Sequence, residues 1–415
     1  MNTKSHKLKI LHTSDWHLGR QLYDRKRHDE FELFLNWLTE LIKTENIDLL
    51  LVAGDIFDTT TPGNRAQELY YRFLTKASQS CLRHIVITGG NHDSPSFLNA
   101  PKELLLFLNV YVIGSISDFL EDEVIILNDK TQTMEAIICA VPYLRDKDIR
   151  TVEAGEKMDD KNRKLIAGIS KHYESVGQIA IEKRNGNANI PIIGMGHLFT
   201  AGGRTTEGDG VRDLYVGGVA FVDENSFPEC FDYLALGHLH SPQKVGNSDS
   251  KRYCGSPIPM SFGEAGQEKK VIVVEFEGRM QKISEHTIPC FQELVRVTGD
   301  ATAISLKLNE MKSSGSNAWL EIDYSGAETF VGLTDLVYDS VAGTKMEVLR
   351  IKTRIATGKT LTAIDDQETL DNLDPSDVFI RCLDAHQIEE PDRASLLLAY
   401  QQLVMRMVEN DRNEE

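Results

Sequence analysis

Five times along this chain, a strand-length apolar run ends in aspartate, asparagine or histidine. The segments are "ILHTSDWHLG" (10–19), "LLLVAGDIFD" (49–58), "IVITGGNHD" (85–93), "IIGMGHLF" (192–199) and "LALGHLH" (234–240). Runs that are apolar without alternation belong to strands buried on both faces, which requires layers of helix or sheet on either side. Between the first runs the spacing of apolar residues changes to that of helices. It predicts a helix over 28–44, with Phe31, Phe34, Leu35, Leu38, Leu41 and Ile42 on one side, and others over 64–78 and 97–108. In such α/β folds the carboxyl ends of strands line the binding crevice, and here those ends carry the costly polar residues. Glycines ahead of them permit tight turns and close backbone approach.

The donor inventory then limits the chemistry. Asp15, His17, Asp55, Asn91, His197, His238 and His240 supply carboxylate, amide and imidazole groups but no thiolate, a set that suits Mn²⁺, Fe²⁺ or Zn²⁺. The number exceeds the need of one ion and matches two. One would take Asp15, His17 and His240, the other Asn91, His197 and His238, with Asp55 bridging. Two such ions lower the pKa of a shared water toward 7 and clamp a phosphoryl oxygen, so that hydroxide attacks phosphorus. His92 follows Asn91 and must project differently. It is read as the general acid that protonates the leaving alkoxide, with Asp93 holding its ring. His12 and His84 sit within strands and read as structural. Asp58 reads either as a helix cap or as support for the site.

Further strands, "YVIG", "EVIIL", "AIICAVP" and "KVIVVEF", and a polar helix near 160–183 fill out a first domain over 1–285. After "TIPC" the composition shifts. A strand–helix–strand–helix–strand pattern suits a small α/β domain over 286–357. Residues 358–415 read as a polar linker and two helices. The second of these presents Leu396, Tyr400, Leu403 and Met407 with no local core to receive them, the form of a segment that enters a partner's groove.

The formal charge of −18 argues against simple nucleic-acid binding, but it is unevenly spread. Residues 1–110 hold 13 basic and 13 acidic side chains, whereas 361–415 hold 4 and 14, a local −10. Two divalent ions beside Asp15 and Asp55 would still make the centre attractive to a phosphodiester. Arg20, Arg25, Lys26 and Arg27, directly after the first motif, are candidates for phosphate contacts. "TGKT" at 357–360 is no phosphate loop, because Thr353 stands where its first glycine belongs. Scattered cysteines without a CxxC pair, and no apolar N-terminal leader or membrane-length run, lead to the expectation of a cytoplasmic protein with reduced thiols.

Taken together, DxH, GDxxD, GNHD, GH and GHxH make this chain resemble the calcineurin-like metallophosphoesterases. Among them it is most similar to the bacterial SbcD nucleases, through "ILHTSDWHLG", "VAGDIFDTTTP", "GNHDS", "ALGHLH" and "YCGSPIPMSF". The resemblance implies a two-sheet α/β sandwich flanked by helices, a small α/β capping domain and a C-terminal helical segment that docks on a partner. It also implies Mn²⁺-dependent exonuclease and endonuclease cleavage of DNA ends or hairpins in repair and recombination. The implied assembly is a homodimer, forming a heterotetramer with an SbcC-type coiled-coil ATPase. Other members carry histidine where Asp58 stands, so no catalytic role passes to Asp58. Two other readings are a small-molecule phosphodiesterase or phosphatase on the same two ions, and a DNA tether with a vestigial site.

Overall fold

The first apolar run becomes β1 (Lys7–Thr13), whose last four residues are buried, followed by a two-strand hairpin, β2 (Gln21–Leu22) and β3 (Arg25–Lys26). Then come α1 (His28–Glu45), β4 (Leu49–Ala53), α2 (Asn64–Ser78), β5 (His84–Thr88), α3 (Pro95–Asn99), α4 (Lys102–Leu106) and β6 (Val110–Ile113). The chain continues through β7 (Val124–Asn128), β8 (Met134–Ala140), α5 (Asp146–Ile149), α6 (Met158–Arg184), β9 (Ile192–His197), β10 (Tyr233–Gly237) and β11 (Gln243–Lys244). After β12 (Lys251–Tyr253), β13 (Lys270–Glu277) and β14 (Met280–Thr287) follow β15 (Leu294–Gly299), α7 (Ala301–Ser313), β16 (Trp319–Tyr324), α8 (Leu333–Val341) and β17 (Glu347–Thr353). This computed structural model describes residues 7–149, 158–200, 222–326 and 332–353, together with Phe379, Leu383, Arg393, Leu396 and Tyr400.

Two six-stranded sheets result, in the orders β14-β13-β1-β4-β5-β6 and β11-β12-β10-β9-β8-β7. In the first, β1, β4, β5 and β6 run parallel, and β13 joins β1 antiparallel. In the second, β8, β9, β10 and β12 are parallel between antiparallel edges. Leu8, Ile10, Leu49, Leu51 and Val86 of the first sheet meet Ile138, Ala140, Ile193, Met195 and Tyr233 of the second. The outer face of the first sheet is covered by α1 and α2, and that of the second by α6. Each buried leucine or isoleucine contributes about 1.5–3 kcal/mol, so covering both faces is what makes continuous apolar strands stable. The expected two-sheet sandwich flanked by helices is present.

The helix α1 buries Phe31, Phe34, Leu35, Leu38 and Ile42 as its spacing predicts, while Leu41 is partly buried. It ends where Asn46 takes a left-handed conformation (φ 52°). The single helix expected over 97–108 is instead two short ones. Pro101 falls between them, and proline lacks the N–H that a continuous helix would need there.

A separate parallel sheet, β15-β16-β17, is crossed by α7 and α8 over its own core of Val297, Ile304, Leu308, Leu320, Ile322 and Val337. Packing divides the chain into two compact units, Met1–Gly326 with Phe330–Thr353, and Ala327–Thr329 with Arg354–Glu415. Within the first unit the β2–β3 hairpin reaches the small sheet. The Tyr23 ring stacks on Phe262 and lies 5.1 Å from the Arg350 guanidinium, and Arg25 pairs with Glu347. In the second unit the rings of Phe379 and Tyr400 stack at 4.2 Å, Leu383 is buried and Leu396 is 41% exposed. Leu403 and Met407, expected on the same apolar face as Leu396 and Tyr400, lie outside the described residues. No described helix is long and apolar enough to cross a membrane.

Candidate metal centre

The ends of β1, β4, β5, β9 and β10 open on one side of the two sheets, and the backbone there is held in conformations that L-residues avoid. Asp15 (φ 52°), His17 (47°), Asp55 (51°) and His238 (101°) are all left-handed. Such strain costs of order 1–3 kcal/mol per residue and concentrates where function imposes it. Close approach also demands glycine. A Cβ on Gly237 would stand 1.8 Å from the Ala53 carbonyl oxygen, and one on Gly90 would stand 2.3 Å from the Asp55 nitrogen.

All seven residues expected as ligands converge there. Ligand atoms of Asp15, His17 and His240 lie within 4.8 Å of one another, as do those of Asp15, Asp55 and His197. Asp55 Oδ2 sits 3.5 Å from His17 Nε2 and 3.3 Å from His197 Nε2, between the two groups. Asn91 Oδ1 is 3.0 Å from His197 Nε2 and 3.1 Å from His238 Nδ1. Nε2 atoms of His17 and His240 face each other at 3.2 Å. Asp15, His17, Asp55, His197 and His240 are all buried. So many oxygen and nitrogen donors, crowded together out of water and lacking thiolate, suit a dimetal centre.

The far side of three of the four ligand rings meets a fixed partner, which aims the near nitrogen inward. His197 Nδ1 lies 3.0 Å from the Ala53 carbonyl oxygen, His240 Nδ1 3.1 Å from Glu264, and His17 Nδ1 3.4 Å from Asp58. Burial opposes a charge on Asp58, but the His17 ring and the Arg20 guanidinium, 3.0 Å away, hold its pKa down at about 2. Burial likewise disfavours a charged His197, yet contact with Asp55 pulls that ring up to about 9. Burial takes His238 down to about 3, with the neighbouring His197 adding to it.

The sequence model of the calcineurin-like phosphoesterases matches residues 8–242. A second model, the "type 5 capsule protein repressor C-terminal domain", matches residues 290–387. The SbcD component of the Escherichia coli K12 nuclease SbcCD is 35% identical over 392 residues, 94% of this chain and 96% of that relative. The chain belongs to the SbcD family of calcineurin-like phosphoesterases. The SbcD proteins of Rhodobacter capsulatus and Bacillus subtilis are 35% and 31% identical, over 65% and 77% of this chain and 67% and 80% of theirs. As a member of this family the chain is a dimetal phosphodiesterase of the nuclease type.

Two expectations for this family member change once the side chains are in place. Asp93 does not hold the His92 ring. Its carboxylate accepts hydrogen bonds from the backbone N–H groups of Ile56, Phe57 and Gly90 at 2.9–3.1 Å. These buried donors need an acceptor, and Asp93 thereby ties the β4 loop to the β5 turn. Burial and the charge of Asp55 push its pKa up to about 6. The His92 ring is held instead at Nδ1, 2.8 Å from the Asp58 carbonyl oxygen, and its backbone N–H donates to Asp55 Oδ1. The ring also meets His17 edge-on at 4.7 Å.

Arg27 is the second. It is 1% exposed, and its guanidinium grips both Glu30 oxygens and the Pro259 carbonyl, so it has nothing to offer a phosphate. Arg20 is partly buried and committed to Asp58, while Arg25 and Lys26 are exposed. Sequence reasoning passed over Glu264 and Lys269 altogether. Both are buried and paired with each other, and Lys269 together with His240 holds the Glu264 pKa down at about 2 against burial. In "SFGEAGQEKK" they read as ordinary surface charges, and no local signal marks them.

Proposed function

We propose that this chain cleaves DNA as exonuclease and endonuclease at ends or hairpins, in the cytoplasm, as the nuclease partner of an SbcC-type coiled-coil ATPase. Asp15, His17 and His240 would hold one divalent ion and Asn91, His197 and His238 the other, with Asp55 shared and Mn²⁺ the metal of choice. The observation that carries this reading is the contact of Asp55 with both His17 and His197 at 3.3–3.5 Å. Bound ions would supply Lewis-acid polarisation of the phosphoryl group and acidification of water.

The remaining work falls to protein groups. His92 donates from Nδ1 to the Asp58 carbonyl, so its Nε2 carries a transferable proton only as imidazolium. An incoming phosphodiester anion favours that form, and Nε2 then protonates the leaving alkoxide. Contacts of the His197, His17 and His240 rings with Ala53, Asp58 and Glu264 keep their donor atoms aimed before substrate arrives. In this reading residues 1–285 form the nuclease domain and 286–357 a cap. Residues 358–415, with Leu396 and Tyr400, dock the ATPase, and the chain forms a homodimer within a heterotetramer.

The test is Mn²⁺-dependent hydrolysis by the purified chain, with linear DNA and a small phosphodiester side by side. DNA cutting that His92→Ala lowers by a factor of about 10²–10⁴, with both ions retained, is the expected result. Loss of the ions in that variant would make His92 a ligand. Hydrolysis of the small diester alone, with or without the ATPase, would refute the nuclease assignment of the site.

A further inference from the structure

Behind His240, on the side away from the other ligands, lies a buried ion pair. Glu264 is 0% exposed and Lys269 4%. Glu264 Oε1 is 3.1 Å from His240 Nδ1, and its Oε2 accepts from Lys269 Nζ, the Ser256 hydroxyl and the Met260 N–H. Lys269 Nζ donates to the His240 carbonyl oxygen at 3.0 Å and to Ser256 Oγ at 3.0 Å, and the Ser256 N–H donates to that same carbonyl at 3.1 Å. Ring and backbone of one residue are therefore gripped by the two members of one pair.

Stability does not account for such a pair. Taking two charges out of water costs several kcal/mol per ion, and apolar replacements of equal volume are often neutral or stabilising. Position accounts for it better. Carboxylate at Nδ1 requires a proton on that nitrogen, which leaves the Nε2 lone pair facing His17 at 3.2 Å. The contacts of Glu264 and Lys269 given above run to His240, Ser256, Met260 and each other.

We propose that Glu264 and Lys269 are a positioning pair for His240. The carboxylate fixes the ring's tautomer and direction, and the ammonium holds that carboxylate in place and pins the His240 backbone. The pair thereby sets the affinity of the ion held by Asp15, His17 and His240, and leaves the ion held by Asn91, His197 and His238 unaffected. This rests on the division of ligands proposed above.

The experiment is a Mn²⁺ titration of the metal-free full chain, read by the electron paramagnetic resonance of unbound Mn²⁺, without substrate. Wild type, Glu264→Gln and the double variant Glu264→Gln/Lys269→Met are compared. The double variant removes both buried charges and decides the matter if the single variant does not fold. Wild type takes up two ions. In the variants one of the two binds about 10–100-fold more weakly and the other binds as before. Two ions bound with wild-type affinities, or both weakened alike, would make the pair merely structural and overturn the proposal. A wild-type chain that binds no ions would overturn the dimetal assignment, and this inference with it.

Discussion

Gly90→Ala puts the dependence of the centre on backbone packing to the test, because the expected damage can be worked from distances. A methyl group at Gly90 would stand 2.3 Å from the Asp55 backbone nitrogen and 2.2 Å from its Oδ1. Ordinary contact begins at 3.4 Å, so Asp55 or the β5 turn must move by about 1.1 Å. Asp55 touches both His17 and His197, and a shift of that size spoils both groups of donors. A displacement of about 1 Å in a reacting constellation costs on the order of 10²-fold in rate, and overpacking costs about 1–3 kcal/mol in stability. The assay is Mn²⁺-dependent hydrolysis of linear DNA, with a thermal melt to confirm folding. Gly186→Ala serves as control. Its φ of 75° is left-handed, but a Cβ there meets nothing within 4 Å, so it loses about 1–2 kcal/mol to strain and no activity. If Gly90→Ala kept more than half the wild-type rate while Gly186→Ala behaved as stated, the site would not depend on the packing argued here.

Other outcomes follow from the same contacts. His12 is fully buried 3.0 Å from the Tyr233 hydroxyl, and burial lowers its pKa to about 3. Its unfolded value is 6.5, so the unfolded chain gains a proton first as pH falls. Stability is lost between pH 6.5 and 3, about 1.4 kcal/mol by pH 5.5; urea melts of metal-free protein should show a shallower pH slope in His12→Asn, and equal slopes would count against the burial argument. Arg27→Met strands the buried Glu30 carboxylate and should cost about 3–5 kcal/mol without changing the DNA affinity of the folded chain, measured by fluorescence anisotropy; weakened affinity would return Arg27 to the phosphate-contact set. Deleting residues 365–415 should release the coiled-coil ATPase in a pull-down while Mn²⁺-dependent hydrolysis of a small diester persists. Continued binding would locate the docking segment elsewhere.

Local patterns in the chain carried much of this. Apolar spacing placed α1 and α2 within a residue of where they lie, at His28–Glu45 and Asn64–Ser78. Periodicity is a property of neighbours three and four apart, and tertiary packing only ratifies it. The five polar strand ends were legible for the same reason. A strand that must be buried cannot end in aspartate and histidine without a use for them. Proline at 101 shows the limit of reading apolar spacing alone, since it split a helix whose pattern ran unbroken across it.

What only the tertiary structure decided depends on partners far away along the chain. Insertion of β13 beside β1 carries the preceding loop beneath His240 and turns Glu264 and Lys269 from unremarkable charges into its support. Burial separates Arg27 from Lys26, although both are basic and adjacent. Asp93 turned away from His92 to accept from the N–H groups of Ile56 and Phe57, 36–37 residues earlier. A sequence states which groups a chain possesses and how its neighbours repeat. Which charge is desolvated, and against what, is set by contacts between segments that the chain order does not place together, and desolvation is the largest energy a charged group can meet.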